Sequence, residues 1–181
     1  MKISIISSST RNGRVSHRIA LALEKAINST GNEVSIVDLN EVNLPPFEER
    51  INILEKPDPK LLDLKEELMK TEAFLFLTPE YNGGISSGLK NFIDVFAKDP
   101  FKHKAVGVVT GSAGAMGGIR AAYQLQQTVL SIHGFPHPSM LTVGKMAEAL
   151  DEKGNIISDS YAKKQAEFLE DFLDFAKKLK P

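Results

Sequence analysis

The stretch Met1-Lys2-Ile3-Ser4-Ile5-Ile6-Ser7-Ser8-Ser9-Thr10-Arg11-Asn12-Gly13-Arg14-Val15-Ser16 decides the architecture. Lys2 to Ser7 is a short apolar run with no clean polar alternation, as expected of a strand covered on both faces. Beyond the hydroxyl-rich turn the period changes to that of a helix. Val15, Ile19, Ala22, Leu23, Ala26 and Ile27 form one apolar stripe, with Gly31 placed as a C-terminal cap. A strand buried on both faces feeding an amphipathic helix is half of a parallel β-α-β unit.

The pattern recurs along the chain. Val34–Leu39, Ala73–Thr78 and Ala105–Thr110 read as further strands, and Met140–Val143 as a weaker fifth. Leu89, Phe92, Ile93, Phe96 and Ala97 make a second helical stripe. Ile119, Ala122, Tyr123, Gln126, Val129 and Leu130 make a third. A last helix is expected from about Asp159 to Leu179. Alternation of this kind predicts an α/β fold: a three-layer, doubly wound, five-stranded parallel sheet of order 2-1-3-4-5. The 181 residues fit one domain spanning 1–181. Prolines between Asn43 and Pro59 predict an exposed excursion before a helix starting near Pro59 or Lys60.

Composition narrows the chemistry. The chain has no cysteine, so thiolate metal sites, redox dithiols and cysteine nucleophiles are excluded. A formal net charge of −1 without blocks of like charge argues against nucleic acid as a partner. The first apolar run is too short for a signal peptide or a membrane span, so no membrane partner and a cytoplasmic location are the expectation. The four histidines form no spaced metal cluster in the sequence, and no metal site is predicted.

In a sheet of order 2-1-3-4-5, ligands bind outside the carboxyl ends of the strands at the switch point. Three unusual loops fall on that edge. Ser7 to Ser16 supplies five hydroxyls, two arginines and main-chain amides at a helix start, which suits a phosphate. Helix capping uses the same residue types, but one hydroxyl suffices for a cap. Neither a Walker A loop nor Gly-x-Gly-x-x-Gly is present, so a mononucleotide phosphate fits better than a Rossmann-bound dinucleotide. Thr78-Pro79-Glu80-Tyr81-Asn82-Gly83-Gly84 offers a sharp turn and a ring, Tyr81, for a flat ligand; an ordinary strand-to-helix turn is the alternative. Thr110 to Gly118 has four glycines among nine residues, an open shelf of amides suited to the polar edge of a heterocycle, or else a flexible linker.

Ser9-Thr10-Arg11 with Ser16, then Thr78-Pro79-Glu80-Tyr81-Asn82, then Leu89-Lys90-Asn91-Phe92-Ile93-Asp94, resemble the NAD(P)H-dependent FMN reductase family, which includes azobenzene, quinone and chromate reductases. Leu44-Pro45-Pro46-Phe47 and Gly111 to Gly118 resemble two more of its loops. The longer spacing from Arg11 to Ser16 departs from the family pattern. The resemblance implies a flavodoxin-like fold and bound FMN. It implies phosphate contacts from Ser9, Thr10, Arg11, Val15 and Ser16. Pro79, Glu80, Tyr81, Asn82 and Gly83 would line the flavin ring, and Gly111, Ala113, Gly114 and Gly117 would meet its pyrimidine edge. It also implies a ping-pong reaction in which NAD(P)H gives a hydride and a small-molecule acceptor then takes the electrons. No catalytic side chain is required. An electron-carrier flavodoxin and a flavin-based sensor are the rival readings. Members of the family are usually homodimers or homotetramers, and uncovered apolar surface around Phe92 and Phe96 would serve such an interface.

Overall fold

A computed structural model describes residues 1–180 of the chain. Five parallel strands, β1 (Lys2–Ser7), β2 (Glu33–Asp38), β3 (Ala73–Pro79), β4 (Ala105–Gly111) and β5 (Phe135–Val143), lie in the order β2-β1-β3-β4-β5. The helices are α1 (His17–Asn28), α2 (Leu39–Val42), α3 (Pro59–Lys70), α4 (Ser87–Phe96), α5 (Ile119–Ser131), α6 (Met146–Ala149) and α7 (Asp159–Lys178). Every residue of β3 and β4 is buried, as an apolar run without alternation requires. The edge strand β2 is largely exposed along one side.

Two apolar layers sandwich the sheet. On one face α1 and α7 bring Ile19, Leu23, Ile27, Phe168 and Phe172 against Ile3, Ile5 and Leu75. On the other, α3, α4 and α5 bring Leu68, Phe92, Phe96 and Leu125 against Ile6, Phe74 and Phe76. Phe101 packs edge-on to both Phe74 and Phe76 with centroids 5.1 and 5.3 Å away. Contacts of this kind add to the area term for each aromatic.

Four expectations need adjustment. β5 begins at Phe135, five residues earlier than Met140. Its Pro136 and Pro138 mask the strand signal, and an edge strand tolerates residues that cannot donate to a ladder. β2 ends at Asp38; Leu39 instead starts α2, whose N-cap is Asp38, accepting from the Asn40 N–H. The stripe of α5 is rotated: Ala121, Ala122, Leu125 and Val129 are buried, while Tyr123 and Leu130 are exposed. Phe92 and Phe96 are wholly buried in the core, so they supply no uncovered surface for an interface.

The excursion before α3 is mostly exposed, as expected, but it is tied down twice. The Ile51 N–H donates to the Val95 carbonyl at 3.0 Å, and the Asn91 amide donates to the Pro45 carbonyl at 2.8 Å. Ile51 itself is buried. Both ties run to α4, which therefore fixes the wall beside the loop after β1.

Candidate functional site

The carboxyl ends of β1, β3 and β4 lie side by side in register, with Ser7 opposite Leu77 and Pro79 opposite Gly111. The three loops that follow converge on one cavity of about 330 Å³. Ser9, Arg11, Val15, Ser16, Pro79, Glu80, Tyr81, Gly111 and Ala113 line it together. Asn12, Gly13, Arg14, Ser112 and Met146 complete the lining.

The loop after β1 is held from below. Ser8 Oγ and Ser86 Oγ lie 2.8 Å apart, and Ser8 N–H donates to the Leu77 carbonyl. A methyl at Gly88 would come within 3.0 Å of the Ser8 carbonyl oxygen, so α4 packs this closely because residue 88 is a glycine. Ser9 Oγ lies 2.8 Å from Tyr81 Oη, joining the first loop to the second. Above this base the main chain is left open. Among the described residues, no main-chain N–H from Ser9 to His17 donates to a protein acceptor. Ser16 stands at the N-cap of α1 without forming a side-chain cap bond, although it is buried and borders the cavity. Unpaired amides at the start of a helix are what an anion needs.

The second loop is a tight turn. Tyr81 and Gly84 exchange N–H···O bonds of 3.0 Å, and Asn82 and Gly83 between them have φ of 52° and 81°. Positive φ at both central residues is the demand that Asn-Gly meets best. Asn82 and Gly83 do not line the cavity; they aim Tyr81 into it. Glu80 reaches the other way, accepting from the Arg120 N–H at 3.3 Å and from its guanidinium at 3.2 Å, at the N-terminus of α5.

The third loop divides in two. The Ser112 N–H is used by the Val143 carbonyl, whereas no N–H from Ala113 to Met116 donates to a protein acceptor among the described residues. Ala113 faces the cavity, but Gly114 and Gly117 do not line it. Gly117 is buried with φ of 62°, and its carbonyl accepts from Thr110 Oγ1 at 2.8 Å. A methyl there would meet the Thr142 carbonyl carbon and the Val143 nitrogen at 2.8 Å. Its glycine serves the packing of the loop on β5. Thr10 turns from the cavity to a neighbouring cleft of about 650 Å³, walled by Leu44, Pro46, Phe47, Lys90 and Asn91.

Charge is distributed unevenly. Arg14 makes a bidentate pair with Asp38, and its Nη1 also donates to the Ser9 carbonyl at 2.9 Å. The Asp38 bond holds the Arg14 pKa above its usual value despite burial. For Asp38, burial favours the neutral acid, but the Arg14 bond and the Asn40 N–H outweigh it, and its pKa lies below the usual carboxylate value. Burial, followed by the charge of Arg14, holds His17 below the ordinary histidine value. Arg11 is exposed, has no carboxylate partner among the described residues, and lies over the Tyr81 ring at 5.8 Å.

Asp38 and Met146 are absent from the site read off the sequence, where Arg14 stands only as one of the two arginines of the loop after β1. Asp38 carries a local signal, an Asp at a strand end two residues before Asn40 in a cap pattern. Its pairing with Arg14 has none, because the two are brought together only by the β1–β2 register. Met146 follows β5, whose end is poorly marked in the sequence.

An anion-ready loop after β1, a ring-bearing turn after β3 and an amide shelf after β4 define a mononucleotide-binding α/β protein of flavodoxin-like architecture. The family model of NADPH-dependent FMN reductases matches residues 1–148, and the chain belongs to that family. It is thus an FMN-dependent oxidoreductase driven by a nicotinamide nucleotide. An NAD(P)H-dependent FMN reductase of Pseudomonas aeruginosa is 31% identical over 166 residues, 88% of this chain and 86% of that protein. An FMN-dependent NADPH-azoreductase of Staphylococcus aureus is 30% identical over 144 residues, 77% and 76% of the two chains. In structure, the flavoenzyme NAD(P)H:(acceptor) oxidoreductase FerB of Paracoccus denitrificans superposes with a TM-score of 0.83 at 22% identity, covering 99% of each chain, a likeness of fold.

Proposed function

We propose that residues 1–181 form one FMN-binding domain that passes electrons from NAD(P)H to a small oxidised acceptor of the quinone or azo class. The observation that carries this reading is the run of main-chain amides from Ser9 to His17 that have no acceptor among the described residues, beside Arg11, which has no carboxylate partner among them. Such a donor set fits a phosphate monoester. Ser9, Arg11, Val15 and Ser16 surround the phosphate, and Thr10 borders it from the side of the neighbouring cleft. Pro79, Glu80, Tyr81, Asn82 and Gly83 form or shape the wall along the ring. Gly111, Ala113, Gly114 and Gly117 form the shelf at its polar edge, Gly117 by holding the shelf in place.

When bound, FMN supplies the two-electron chemistry between nucleotide and acceptor. The chain's own part is orientation and electrostatics. The open amides from Ala113 to Met116 favour negative charge at the edge of a ring placed above them. Tyr81, tethered to Ser9, keeps ring wall and phosphate loop in one fixed relation. No side-chain acid or base is assigned. Acceptor choice belongs to the wall of the neighbouring cleft, Leu44, Pro46 and Phe47. The cytoplasmic setting is likewise a proposal; among the described residues no helix is long and apolar enough to cross a membrane.

A homodimer or homotetramer belongs to the same reading. The helix expected at the interface, α4, spends Phe92 and Phe96 on the core, whereas α5 leaves Tyr123 and Leu130 each 60% exposed. Sedimentation at micromolar concentration is expected to give more than a monomer; monomer alone overturns this part.

The test of the whole is an absorbance spectrum of the purified protein with FMN, followed by anaerobic addition of NADH or NADPH. Flavin absorbance that bleaches with either nucleotide and returns with a quinone is expected. Absence of bindable FMN overturns the reading. Bound flavin that neither nucleotide bleaches would make the chain a carrier or sensor.

A further inference from the structure

Sixteen residues, 43–58, separate the end of α2 from the start of α3, and just before them the end of β2 is fastened to the loop after β1 by charge. We propose that Asp38 is a positioning residue for the flavin-phosphate loop: acting through Arg14 and His17, it sets the loop's shape and cancels one of its two arginine charges, so that Arg11 alone meets the phosphate. This rests on the FMN reading above.

The geometry is specific. Asp38 closes β2 with only 7% of its side chain exposed, and both its oxygens are taken by the two Nη atoms of Arg14. The planar fork of a guanidinium matches a carboxylate in this way, and lysine does not reproduce it. The same guanidinium donates to the Ser9 carbonyl at 2.9 Å. Ser9 thereby turns its main chain toward Arg14 and its hydroxyl toward Tyr81. His17 completes the cluster, with Nδ1 2.9 Å from Ser7 Oγ and 3.7 Å from Asp38 Oδ2. Four bonds or contacts thus converge on one carboxylate: from Arg14 to both oxygens, from the Asn40 N–H at 3.0 Å, and from His17.

An exposed ion pair is worth little, because water screens it and both side chains lose freedom. This pair differs: the Arg14 side chain is only 16% exposed, so removing Asp38 strands a guanidinium in a confined place. The two arginines of the loop therefore have different work. Arg14 is a staple that grips the Ser9 carbonyl. Arg11, without a carboxylate partner among the described residues and set over Tyr81, is the charge available to a ligand. A phosphate needs the amides from Ser9 to His17 to point at one place, and the staple ties the first residue of that run, Ser9, to Arg14 within it.

The test compares two flavins that differ only in the phosphate. FMN and riboflavin are titrated into apo-protein by quenching of flavin fluorescence, with thermal melts to check folding. Wild type is expected to prefer FMN strongly. Asp38→Asn is expected to weaken FMN binding by about 10- to 100-fold and riboflavin by less than about threefold, since loss of a buried charge partner is felt where the loop meets the charge. Arg14→Lys, which keeps the charge and loses the fork, is expected to act in the same direction, and the double variant to be little worse than either single one. If Asp38→Asn fails to fold, Arg14→Lys alone gives the reading. Equal loss of both flavins, no change, or tighter FMN binding would each overturn the inference, the last by making Asp38 a competitor of the phosphate. Wild type that binds neither flavin overturns the FMN reading together with the inference; intact wild-type binding with unselective variants counts against the inference alone.

Discussion

The loops after β1 and after β4 both present unused main-chain N–H groups to the same cavity, yet they are built in opposite ways. The first rests on buried hydroxyls, a half-buried ion pair and an exposed arginine. From Gly111 to Gly118 the second carries no charged side chain, and small residues leave its amides in the open. Amides alone attract any acceptor. What separates an anion site from a site for a neutral heterocycle edge is the charge set beside them, and only the first loop has it. The two loops also differ in what holds them. The first is fixed by side chains that reach other elements, and the second by backbone packed on the backbone at the end of β5, with the hydroxyls of Thr110 and Ser112 bonding carbonyls within the loop.

Gly117→Ala is the strongest way to break the second loop. The methyl would require a left-handed main chain for a side-chain-bearing residue and would meet backbone atoms of residues 142 and 143 at 2.8 Å. Strain and overpacking together are expected to cost roughly 3 kcal/mol, a fall in melting temperature of about 6–12 °C for a chain of this size. Both flavins should bind more weakly, since the shelf itself shifts. A variant that melts like wild type would mean that the loop is not seated on β5.

Arg11→Ala attacks the first loop and should leave stability nearly unchanged, because the side chain is exposed. The expected effect is loss of about 1.5–3 kcal/mol of FMN binding, the range for a charge-assisted bond, with riboflavin spared. If riboflavin suffers equally, Arg11 serves the ring through Tyr81, and the division of labour between the loops fails.

The unequal legibility of the two loops has the same physical root. Strand order, the phosphate-suited loop and the turn at Asn82-Gly83 depend on local signals: apolar runs, hydroxyl content, a dipeptide that accepts positive φ. These were readable from residues 2–16 and 73–84 because neighbours in sequence make the structure. Gly117 was readable as part of an open shelf, but its burial against residues 142–144 depends on a register with β5, whose own signal Pro136 and Pro138 obscure. Arg14 illustrates the same limit. Its loop announced an anion site, while its carboxylate partner lies 24 residues away on the next strand. Tyr123 and Leu130 fit a helical stripe by spacing, yet a rotation of α5 buries Leu125 in their place. Periodicity identifies a helix more securely than the face it turns inward.

The partly buried cluster of His17, Asp38 and Arg14 also gives the first loop a pH response that the second lacks. His17 has a depressed pKa in the folded chain, so the unfolded chain binds the proton more readily. Its contribution is complete above the ordinary histidine value, about 6.5, and declines as pH falls from there through the lowered value. Asp38, also depressed, contributes fully above the ordinary carboxylate range and loses its contribution below it, as pH falls through its own lowered value. Melting temperature should therefore drop on acidification from pH 7 to 5, and His17→Gln should flatten that part of the curve. An unchanged slope would place the response elsewhere in the chain.

The smallest effect is expected at Gly114, and it sharpens the comparison from the other side. Gly114 and Gly117 share a loop, a residue type and a place on the same proposed shelf. A methyl at Gly114, however, would meet only Ser112 Oγ, at 3.9 Å, and its φ lies outside the left-handed range. What the fold uses at this position is the carbonyl, which accepts from the N–H groups of Gly117 and Lys145 and from the Ser112 hydroxyl. Alanine keeps that carbonyl and reduces the freedom of the unfolded chain. Gly114→Ala is therefore expected to leave stability unchanged or raise it by up to about 1 kcal/mol, with FMN affinity within about twofold of wild type. If it instead weakens both flavins while the melt is unchanged, the ring lies against the Cα of Gly114 itself, and the shelf is a surface of close contact rather than a row of donors.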